Sequence, residues 1–179
     1  MTIKQGDHVG TLTLPEIKGG DFNLEAYSGK RYLLGFFRFA SCPFCNMRVH
    51  ELVEKHGKLP EDFKIVAIFD SPLDNLQRFS SGHNAPFPIL ADANNIYYKK
   101  FGVRHSVFGM TLGMVKRFPT MLNAMFAKGY IPWRIKGSMT TMPLDLLVDE
   151  NGIIQAAYSG KDEGDHMPFE QILAFAGKN

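Results

Sequence analysis

Two cysteines, little net charge and no long apolar run characterise this sequence, and each shortage excludes a class of protein. A formal charge of +2 over 179 residues is too small to indicate a nucleic-acid binder, and no base-reading motif occurs. No apolar stretch approaches the length that spans a membrane. Residues 1–7 lack the apolar core of a signal peptide. We therefore expect a cytoplasmic location, with neither nucleic acid nor a membrane as partner.

Internal repeats and low-complexity tracts are also absent, so nothing in the sequence divides it into separate units. The chain length and the hydrophobic content of 45% are typical of one domain with a full core. We predict a single domain over residues 1–179.

Acidic residues are missing from residues 93–144, although eight basic residues lie there. They are Lys99, Lys100, Arg104, Lys116, Arg117, Lys128, Arg134 and Lys136. Apolar side chains recur four residues apart, which predicts one or two amphipathic helices over residues 105–128, broken near Pro119. The simpler interpretation of this insertion, about residues 105–139, is a helical cover for the protein's own core with a solvated basic face. The alternative is a docking surface, because methionine-rich surfaces adapt to partners.

The two cysteines stand close together, as Cys42 and Cys45. They follow the apolar run at residues 32–37, which is short, aromatic-rich and continuous, as expected of a strand buried on both faces. Beyond them, apolar residues recur at helical spacing, and Pro43 suits a first helical turn. The cysteines are therefore predicted to lie where a central strand becomes a helix.

This position affects reactivity because the thiolate is the reactive form of cysteine. A helix N-terminus presents free N–H groups and a positive dipole end, so Cys42 is expected to be the more acidic and the more exposed thiol. Cys45 lies about one turn further on, within disulfide reach. Positive or titratable charge is expected nearby from Arg38, Arg48 and His50. We predict that Cys42 attacks, that Cys45 resolves, and that the two form a reversible disulfide.

Two other interpretations of the cysteine pair stay open. The cysteines could be small buried hydrophobic residues, although this does not explain a Cys-x-x-Cys spacing at a strand-to-helix junction. They could also bind a metal together with His50 or His56. Structural zinc normally needs four ligands and often a second cysteine pair, which this chain lacks. We predict no metal and no cofactor.

Strand and helix patterns alternate along the rest of the chain. Strands are predicted at 9–14 and 21–24 as a hairpin, at 31–39, 63–69 and 88–92, and at 144–148 and 153–158 as a C-terminal hairpin. Helices are predicted from the cysteines to about His56, after Pro72, over 95–101 and around 169–175. This order predicts an α/β fold with a mixed central sheet and helices on both faces.

Three regions of the chain, "GKRYLLGFFRFASCPFC", "FPILADANNIYYKKFGV" and "MPLDLLVDENGII", together resemble one family. This is the peroxiredoxin-like group of the thioredoxin-fold superfamily, the alkyl hydroperoxide reductase and thiol-specific antioxidant family. The resemblance covers most of the chain except residues 105–139. It implies a thioredoxin-like fold with an N-terminal hairpin and a helical insertion before the C-terminal hairpin. It also implies a peroxide or protein disulfide substrate and a thiol reductant, thioredoxin-like or glutathione, and leaves a homodimer open.

The family motif can be aligned with this sequence in two ways, and they differ in which cysteine is the attacking one. Peroxiredoxins typically carry Pro-x-x-x-Thr-x-x-Cys. If that cysteine is Cys45, Cys42 occupies the threonine position and Arg38 the proline position. If it is Cys42, those two positions hold Phe39 and Gly35, which match no better.

Thioredoxins supply two further expectations by resemblance. Met142-Pro143 resembles the cis-proline turn that they hold against their cysteines, and proline weakens the trans preference, so we expect a cis peptide there. Their buried acid would fall at Phe36, which leaves water, Glu51 or His50 to act as a base.

The leading hypothesis is a thiol-dependent antioxidant oxidoreductase that reduces peroxides through a Cys-x-x-Cys dithiol/disulfide cycle. The alternative is a thioredoxin-like protein thiol-disulfide oxidoreductase. A third class is a non-catalytic interaction module built on the same fold. The candidate catalytic residues are Cys42 and Cys45. The residues expected to shape the site are Arg38, Ser41, Pro43, Phe44, Met142 and Pro143.

Overall fold

The apolar run that precedes the cysteines forms the central strand of a five-stranded sheet in the computed structural model, which describes residues 3–177. The strands are β1 (Thr13–Pro15), β2 (Asp21–Asn23), β3 (Tyr32–Phe37), β4 (Lys64–Phe69), β5 (Ile89–Ala91), β6 (Leu144–Val148) and β7 (Ile154–Ser159). The helices are α1 (Pro43–Lys55), α2 (Leu73–Ser80), α3 (Ile96–Lys100), α4 (Val107–Lys116), α5 (Phe118–Phe126) and α6 (Phe169–Ala176).

The sheet has the strand order β5-β4-β3-β6-β7. Strands β3, β4 and β5 run parallel, whereas β6 is antiparallel to β3 and to β7. The β1–β2 hairpin forms a separate two-stranded sheet. This is the mixed α/β architecture, with N-terminal and C-terminal hairpins, that the sequence predicts.

Both faces of β3 are buried, which explains why its sequence is apolar without alternation. Leu33 and Phe37 belong to the core cluster that contains the cysteines and α1. Leu34 and Phe36 belong to the cluster on the opposite face, which includes Tyr98 from α3. Alternate side chains of one strand therefore serve two cores.

The first predicted strand is displaced in the structure, because part of it has a different partner. Val9 donates its N–H to the carbonyl of Gly152 at 2.9 Å, in the turn of the C-terminal hairpin. Only Thr13–Pro15 pairs with β2. The predicted hairpin is confirmed, but its first strand begins four residues later than position 9.

The insertion consists of two helices, as one of the two predicted arrangements requires. Ser106 caps α4 by accepting the N–H of Gly109 at 2.9 Å. The break falls at Arg117, and Pro119 lies in the first turn of α5, where its missing N–H costs nothing. Helix α5 packs against α1. No helix within residues 3–177 combines the length and the apolar composition needed to cross a membrane.

After α5, the chain returns over the carboxyl ends of β3 and β4. The buried Asp70 side chain accepts the N–H of Ser138 at 2.9 Å and the hydroxyl of Thr141 at 3.0 Å. Ser71 donates its hydroxyl to the carbonyl of Lys136 at 2.7 Å. We call residues 136–141 the covering loop, because these contacts hold it over the junction that carries the cysteines.

Gly137 lies where the covering loop packs closely on Asp70, the residue after β4. Its φ is +125°, and a Cβ there would lie 1.9 Å from the carbonyl oxygen of Asp70. We expect Gly137→Ala to lower the free energy of unfolding by about 1 to 3 kcal/mol, because backbone must move to admit the methyl group. Urea unfolding followed by circular dichroism measures this change.

Gly19→Ala is the matched control. Gly19 has a similar φ of +105°, but nothing lies within 4 Å of its added Cβ. Gly19→Ala therefore measures the cost of backbone strain alone, without the steric clash that occurs at Gly137. Equal destabilisation by both substitutions would contradict the close packing of the covering loop.

Candidate active site

The cysteines lie at the junction of β3 and α1, as the sequence predicts. Cys42 is the N-cap of α1 in extended conformation, with φ −66° and ψ 120°, and Pro43 follows as the first helical residue. The first-turn N–H groups of a helix are unpaired and point toward its N-cap. The Cys42 sulfur therefore lies where backbone dipoles favour negative charge.

Arg38, one residue beyond β3, contacts both cysteines. Its backbone N–H donates to Cys45 Sγ at 3.4 Å, and its Nη1 donates to Cys42 Sγ at 3.6 Å. Its Nη2 donates to the carbonyl of Met139 in the covering loop. The Arg38 side chain is 4% exposed. The expected role of Arg38 as a cation beside Cys42 agrees with this geometry.

The expectation that Cys42 is exposed is wrong. Cys42 and Cys45 are both free thiols with 0% exposure. The physical reason is that the insertion packs back onto the junction: α5 lies against α1, and the covering loop holds Arg38 over the cysteines. Contacts with residues so distant in sequence leave no trace in the local pattern around Cys42.

The two thiols differ in acidity although both are buried. Burial raises the pKa of Cys42, but a hydrogen bond from the Cys45 thiol, the positive charge of Arg38 and backbone N–H groups outweigh it and lower the pKa to about 7. Burial and the neighbouring Cys42 sulfur raise the pKa of Cys45 well above its usual range. When the pair loses its first proton, near neutral pH, the negative charge is therefore located on Cys42.

Other charged residues of α1 are directed away from the cysteines. Arg48 donates to Glu51 at 2.7 Å and to the carbonyl of Met167 at 2.7 Å. His50 lies 3.3 Å from Glu54. Burial raises the pKa of Glu51, but hydrogen bonds from Lys55 and Arg48 outweigh it and lower that pKa. Glu51 is therefore an ionised ion-pair partner and a poor base, and the charge near the thiols comes from Arg38.

Glu163, between β7 and α6, is a buried acid that sequence analysis missed. It is 1% exposed, and its Oε2 has no hydrogen-bond partner within residues 3–177. Helix α4 crosses it so closely that a Cβ at Gly113 would lie 1.9 Å from Oε2. Burial raises the pKa of Glu163, and the charges of Arg38 and Arg117 oppose that rise. In the sequence, Lys161-Asp162-Glu163-Gly164 has the composition of a solvated turn, so no signal marks it.

A second buried acid, Asp145, lies on β6 next to Gly35 of β3. Its Oδ2 lies 3.1 Å from His166 Nδ1 and accepts the N–H of Met167 at 2.8 Å. Burial raises the pKa of Asp145, but the charge and hydrogen bond of His166 lower it overall. Gly35 leaves room for the carboxylate, since a Cβ there would lie 3.2 Å from Oδ1. The buried acid of this sheet therefore lies on the strand beside Phe36.

On the other side of the junction, Asn46 fixes the backbone that carries Cys42. Its Nδ2 donates to the carbonyls of Ala40 at 2.8 Å and Cys42 at 2.9 Å, so its Oδ1 must accept from His83 Nε2 at 2.8 Å. Burial and the nearby His50 lower the pKa of His83 to about 4, so it is neutral at pH 7. This arrangement positions the N-cap without adding charge.

A cleft of about 290 Å³ reaches the same junction from the insertion side. Its lining includes Ser41 and Asn46 and the aromatic residues Phe79, Tyr130 and Trp133. Ser41 Oγ is buried and has no hydrogen-bond partner in the part of the chain that the structure describes. The residue before Cys42 therefore brings an unpartnered polar group to the lining of this cleft.

The predicted cis peptide at Met142-Pro143 is wrong. No peptide bond within residues 3–177 is cis. Met142 donates its N–H to the carbonyl of Arg104 at 2.8 Å, and Pro143 accepts the N–H of Gly160 at 2.9 Å. These contacts pair the segment in extended form on both sides of the bond, which the trans peptide allows. Met142 is buried against α4 at Gly109.

Phe44, the remaining residue expected to shape the site, is buried in the first turn of α1. Its ring lies near Gly164, where an added Cβ would be 3.3 Å from Cδ1. Within residues 3–177, no three His, Cys, Asp or Glu side chains are grouped so as to hold a metal ion. The structure does not assemble the metal site that His50 or His56 would complete.

Comparison with known proteins finds similarity along most of the chain. Residues 5–157 match the AhpC/TSA family. Peroxiredoxin Bcp of Escherichia coli (strain K12) is 26% identical over 125 residues, which are 68% of this chain and 80% of that protein.

Two solved structures share the fold. Peroxidoxin BcpB of Mycobacterium tuberculosis superposes with a TM-score of 0.70 at 18% identity, over 97% of this chain and 96% of that one. A candidate thiol:disulfide interchange protein, DsbE of Chlorobium tepidum, gives a TM-score of 0.63 at 18% identity, over 98% of this chain and 100% of that one. At these identities the likeness concerns the fold alone.

Arg38→Met should raise the pKa of Cys42 by about 1 to 3, because the nearest cation is removed from a buried thiolate. The measurement is the pH dependence of iodoacetamide alkylation in a Cys45→Ser background, which leaves a single thiol and keeps a hydroxyl donor beside it. At pH 7 the alkylation rate should fall about fivefold or more.

Arg48→Met is the control, since it removes an arginine of α1 whose guanidinium donates to Glu51 and to the carbonyl of Met167 and not to Cys42. Both variants are compared only if they unfold cooperatively. If the pKa of Cys42 is unchanged in Arg38→Met, or rises equally in Arg48→Met, Arg38 is not the cation that lowers the pKa of Cys42.

Proposed function

The chain belongs to the AhpC/TSA family, and on that premise we propose that it is a thiol peroxidase in which Cys42 attacks and Cys45 resolves. The observation that carries this proposal is the Arg38 guanidinium on Cys42 Sγ, at the N-cap of α1. A thiolate with a pKa of about 7 is available as a nucleophile at neutral pH. One of the two alignments of the family motif names Cys45 instead, but the raised pKa of Cys45 opposes that role.

In the first step, the Cys42 thiolate attacks one peroxide oxygen, and the O–O bond breaks. Cys42 becomes a sulfenic acid, and the leaving oxygen takes a proton to give water or an alcohol. The guanidinium of Arg38, already beside the sulfur, can donate a hydrogen bond to the negative charge as it moves from sulfur to oxygen. No metal or cofactor is needed for this step.

In the second step, the Cys45 sulfur attacks the Cys42 sulfenic acid and forms a disulfide. The hydroxide that leaves combines with the Cys45 thiol proton to give water, so the two-electron balance closes. The Cys45 thiol already donates a hydrogen bond to the Cys42 sulfur. An external thiol reductant, either one thioredoxin-like dithiol or two molecules of glutathione, must then supply two electrons and two protons to restore both thiols.

Burial of both thiols favours a small oxidant over a protein disulfide. Exchange with a protein disulfide requires the attacking sulfur to meet a second chain, and Cys42 is 0% exposed. The trans peptide at Met142-Pro143 also removes the feature that most resembled thioredoxin. A peroxide is small enough to need only a narrow opening, and a cleft is lined by Ser41, the residue before Cys42.

Peroxide trapping tests the assignment of the two cysteines. Cys45→Ser treated with one equivalent of hydrogen peroxide should gain the mass of one oxygen atom on Cys42, because its sulfenic acid has no resolving thiol. Cys42→Ser should stay unmodified, since the remaining thiol is protonated at neutral pH. Intact mass spectrometry and a sulfenic-acid-specific reagent measure both. Single-turnover peroxide reduction by Cys42→Ser would reverse the roles.

The wild-type protein should form an intramolecular disulfide under the same treatment. Its mass should fall by two hydrogen atoms, both thiols should resist alkylation, and a non-reducing gel should show no disulfide-linked dimer. The double variant Cys42→Ser/Cys45→Ser is the blank for the peroxidase assay. Reduction of insulin without peroxide consumption would instead assign the disulfide oxidoreductase function. If the protein is active in neither assay, the hypothesis that remains is a non-catalytic interaction module.

A further inference from the structure

The insertion exposes most of the large apolar side chains on the surface of this protein. Among residues 3–177, fourteen large hydrophobic side chains are exposed, and twelve of them lie between residues 107 and 139. We call this set, carried by α4, α5 and the chain up to Met139, the insertion surface. Phe108, Val115 and Phe126 are 77%, 75% and 81% exposed. Monomeric proteins rarely leave so many neighbouring apolar groups in water without a function for them.

Helix α4 presents its large side chains outward and its small ones inward. Gly109 and Gly113 are its buried residues, one turn apart, and they contact Met142 and Glu163. Phe108, Leu112 and Val115 lie on the opposite, exposed side at helical spacing. This is the reverse of a helix that covers a core with its apolar face.

Helix α5 continues the pattern. Phe118, Leu122 and Phe126 lie four residues apart and are all exposed, whereas Ala124 is the residue that the helix buries. Beyond α5, Ile131 and the single tryptophan of the chain, Trp133, are at least half exposed. Exposed apolar side chains therefore occur in α4, in α5 and in the segment that follows them.

Charge on the insertion has one sign. No acidic residue occurs between 93 and 144. Arg117 pairs with Asp162 and Lys136 with Asp74, which lie outside the insertion. Arg104, Lys116, Lys128 and Arg134 are exposed and make no ion pair within residues 3–177. The partner of this surface should therefore be apolar and negatively charged.

We propose that the insertion surface binds anionic phospholipid membranes from one side, with α4 and α5 lying in the headgroup region. The exposed phenylalanines of the short helices α4 and α5, the exposed Trp133 beyond them and the unpaired lysines and arginines of the insertion together have the composition of an interfacial segment. Basic residues near an anionic leaflet add attraction that salt weakens. A second copy of the chain fits less well, because a two-fold contact through this surface would bring the same unpaired cations together.

Sedimentation with vesicles tests this proposal on the full-length protein. Vesicles of phosphatidylcholine with phosphatidylglycerol should carry the protein down, and vesicles of phosphatidylcholine alone should bind it several-fold less. The emission of Trp133 should shift to shorter wavelength in the first case, because its ring leaves water. Raising the salt concentration should weaken the binding.

Phe108→Glu/Phe126→Glu should reduce the vesicle partition coefficient by about tenfold or more, since it removes two inserted aromatic groups. The matched control is Ile96→Glu/Leu173→Glu, which adds the same charge at the two exposed hydrophobic residues outside the insertion surface. The control should bind as the wild type does. All four positions are exposed, and circular dichroism and a cooperative melt check that each variant folds.

Three outcomes would overturn the proposal. The first is no sedimentation and no Trp133 shift with anionic vesicles. The second is an equal loss of binding in the control variant. The third is a dimer in light scattering that Phe108→Glu/Phe126→Glu dissolves, which would assign the surface to a second copy. Vesicle binding does not depend on the thiols, so Cys42→Ser should bind normally whether or not the protein is a peroxidase.

Discussion

A buried guanidinium is the constraint around which this site is built. Arg38 is almost fully removed from water, and within residues 3–177 no carboxylate lies within ion-pair distance of it. A charge taken out of water needs compensation. Here Cys42 Sγ and the carbonyl of Met139 accept hydrogen bonds from two nitrogens of the Arg38 guanidinium. The thiolate stabilises the arginine as much as the arginine stabilises the thiolate. The low pKa of Cys42 and the burial of Arg38 are therefore two consequences of one interaction.

That interaction also explains why the covering loop and the insertion matter to the thiols. Met139 reaches Arg38 only because Asp70 and Ser71 hold residues 136–141 over the strand ends. Glu163, whose pKa is raised by burial and lowered by the charge of Arg38, is buried by the passage of α4 at Gly113. Elements distant in sequence thus set the electrostatic environment of one cysteine, and none of them touches the peroxide chemistry directly.

The sequence predicts the parts of this structure that depend on neighbouring residues. The continuous run at 32–37, Pro43 after Cys42 and the four-residue spacing around Pro119 each describe a local element, and each element is present. It does not predict the burial of Cys42, the trans bond before Pro143 or the buried acids Asp145 and Glu163. These depend on contacts between distant segments, such as Gly35 with Asp145 and Gly113 with Glu163, where a glycine makes room for a carboxylate. A glycine's role in packing cannot be read from its neighbours in sequence.

The insertion shows that a protein with a small net charge can still have its positive and negative residues strongly segregated along the chain. A total of +2 argues against an anionic partner only if the charges are mixed over the surface, yet residues 93–144 contain no acid at all. The helical spacing of apolar residues there is also ambiguous from sequence, because it gives the apolar face but not the direction in which that face points. The structure decides this with three small residues, since Gly109, Gly113 and Ala124 occupy the inner side of α4 and α5. Beneath α4, Met142 and Glu163 already fill the space next to Gly109 and Gly113, so the large side chains Phe108, Leu112 and Val115 face outward.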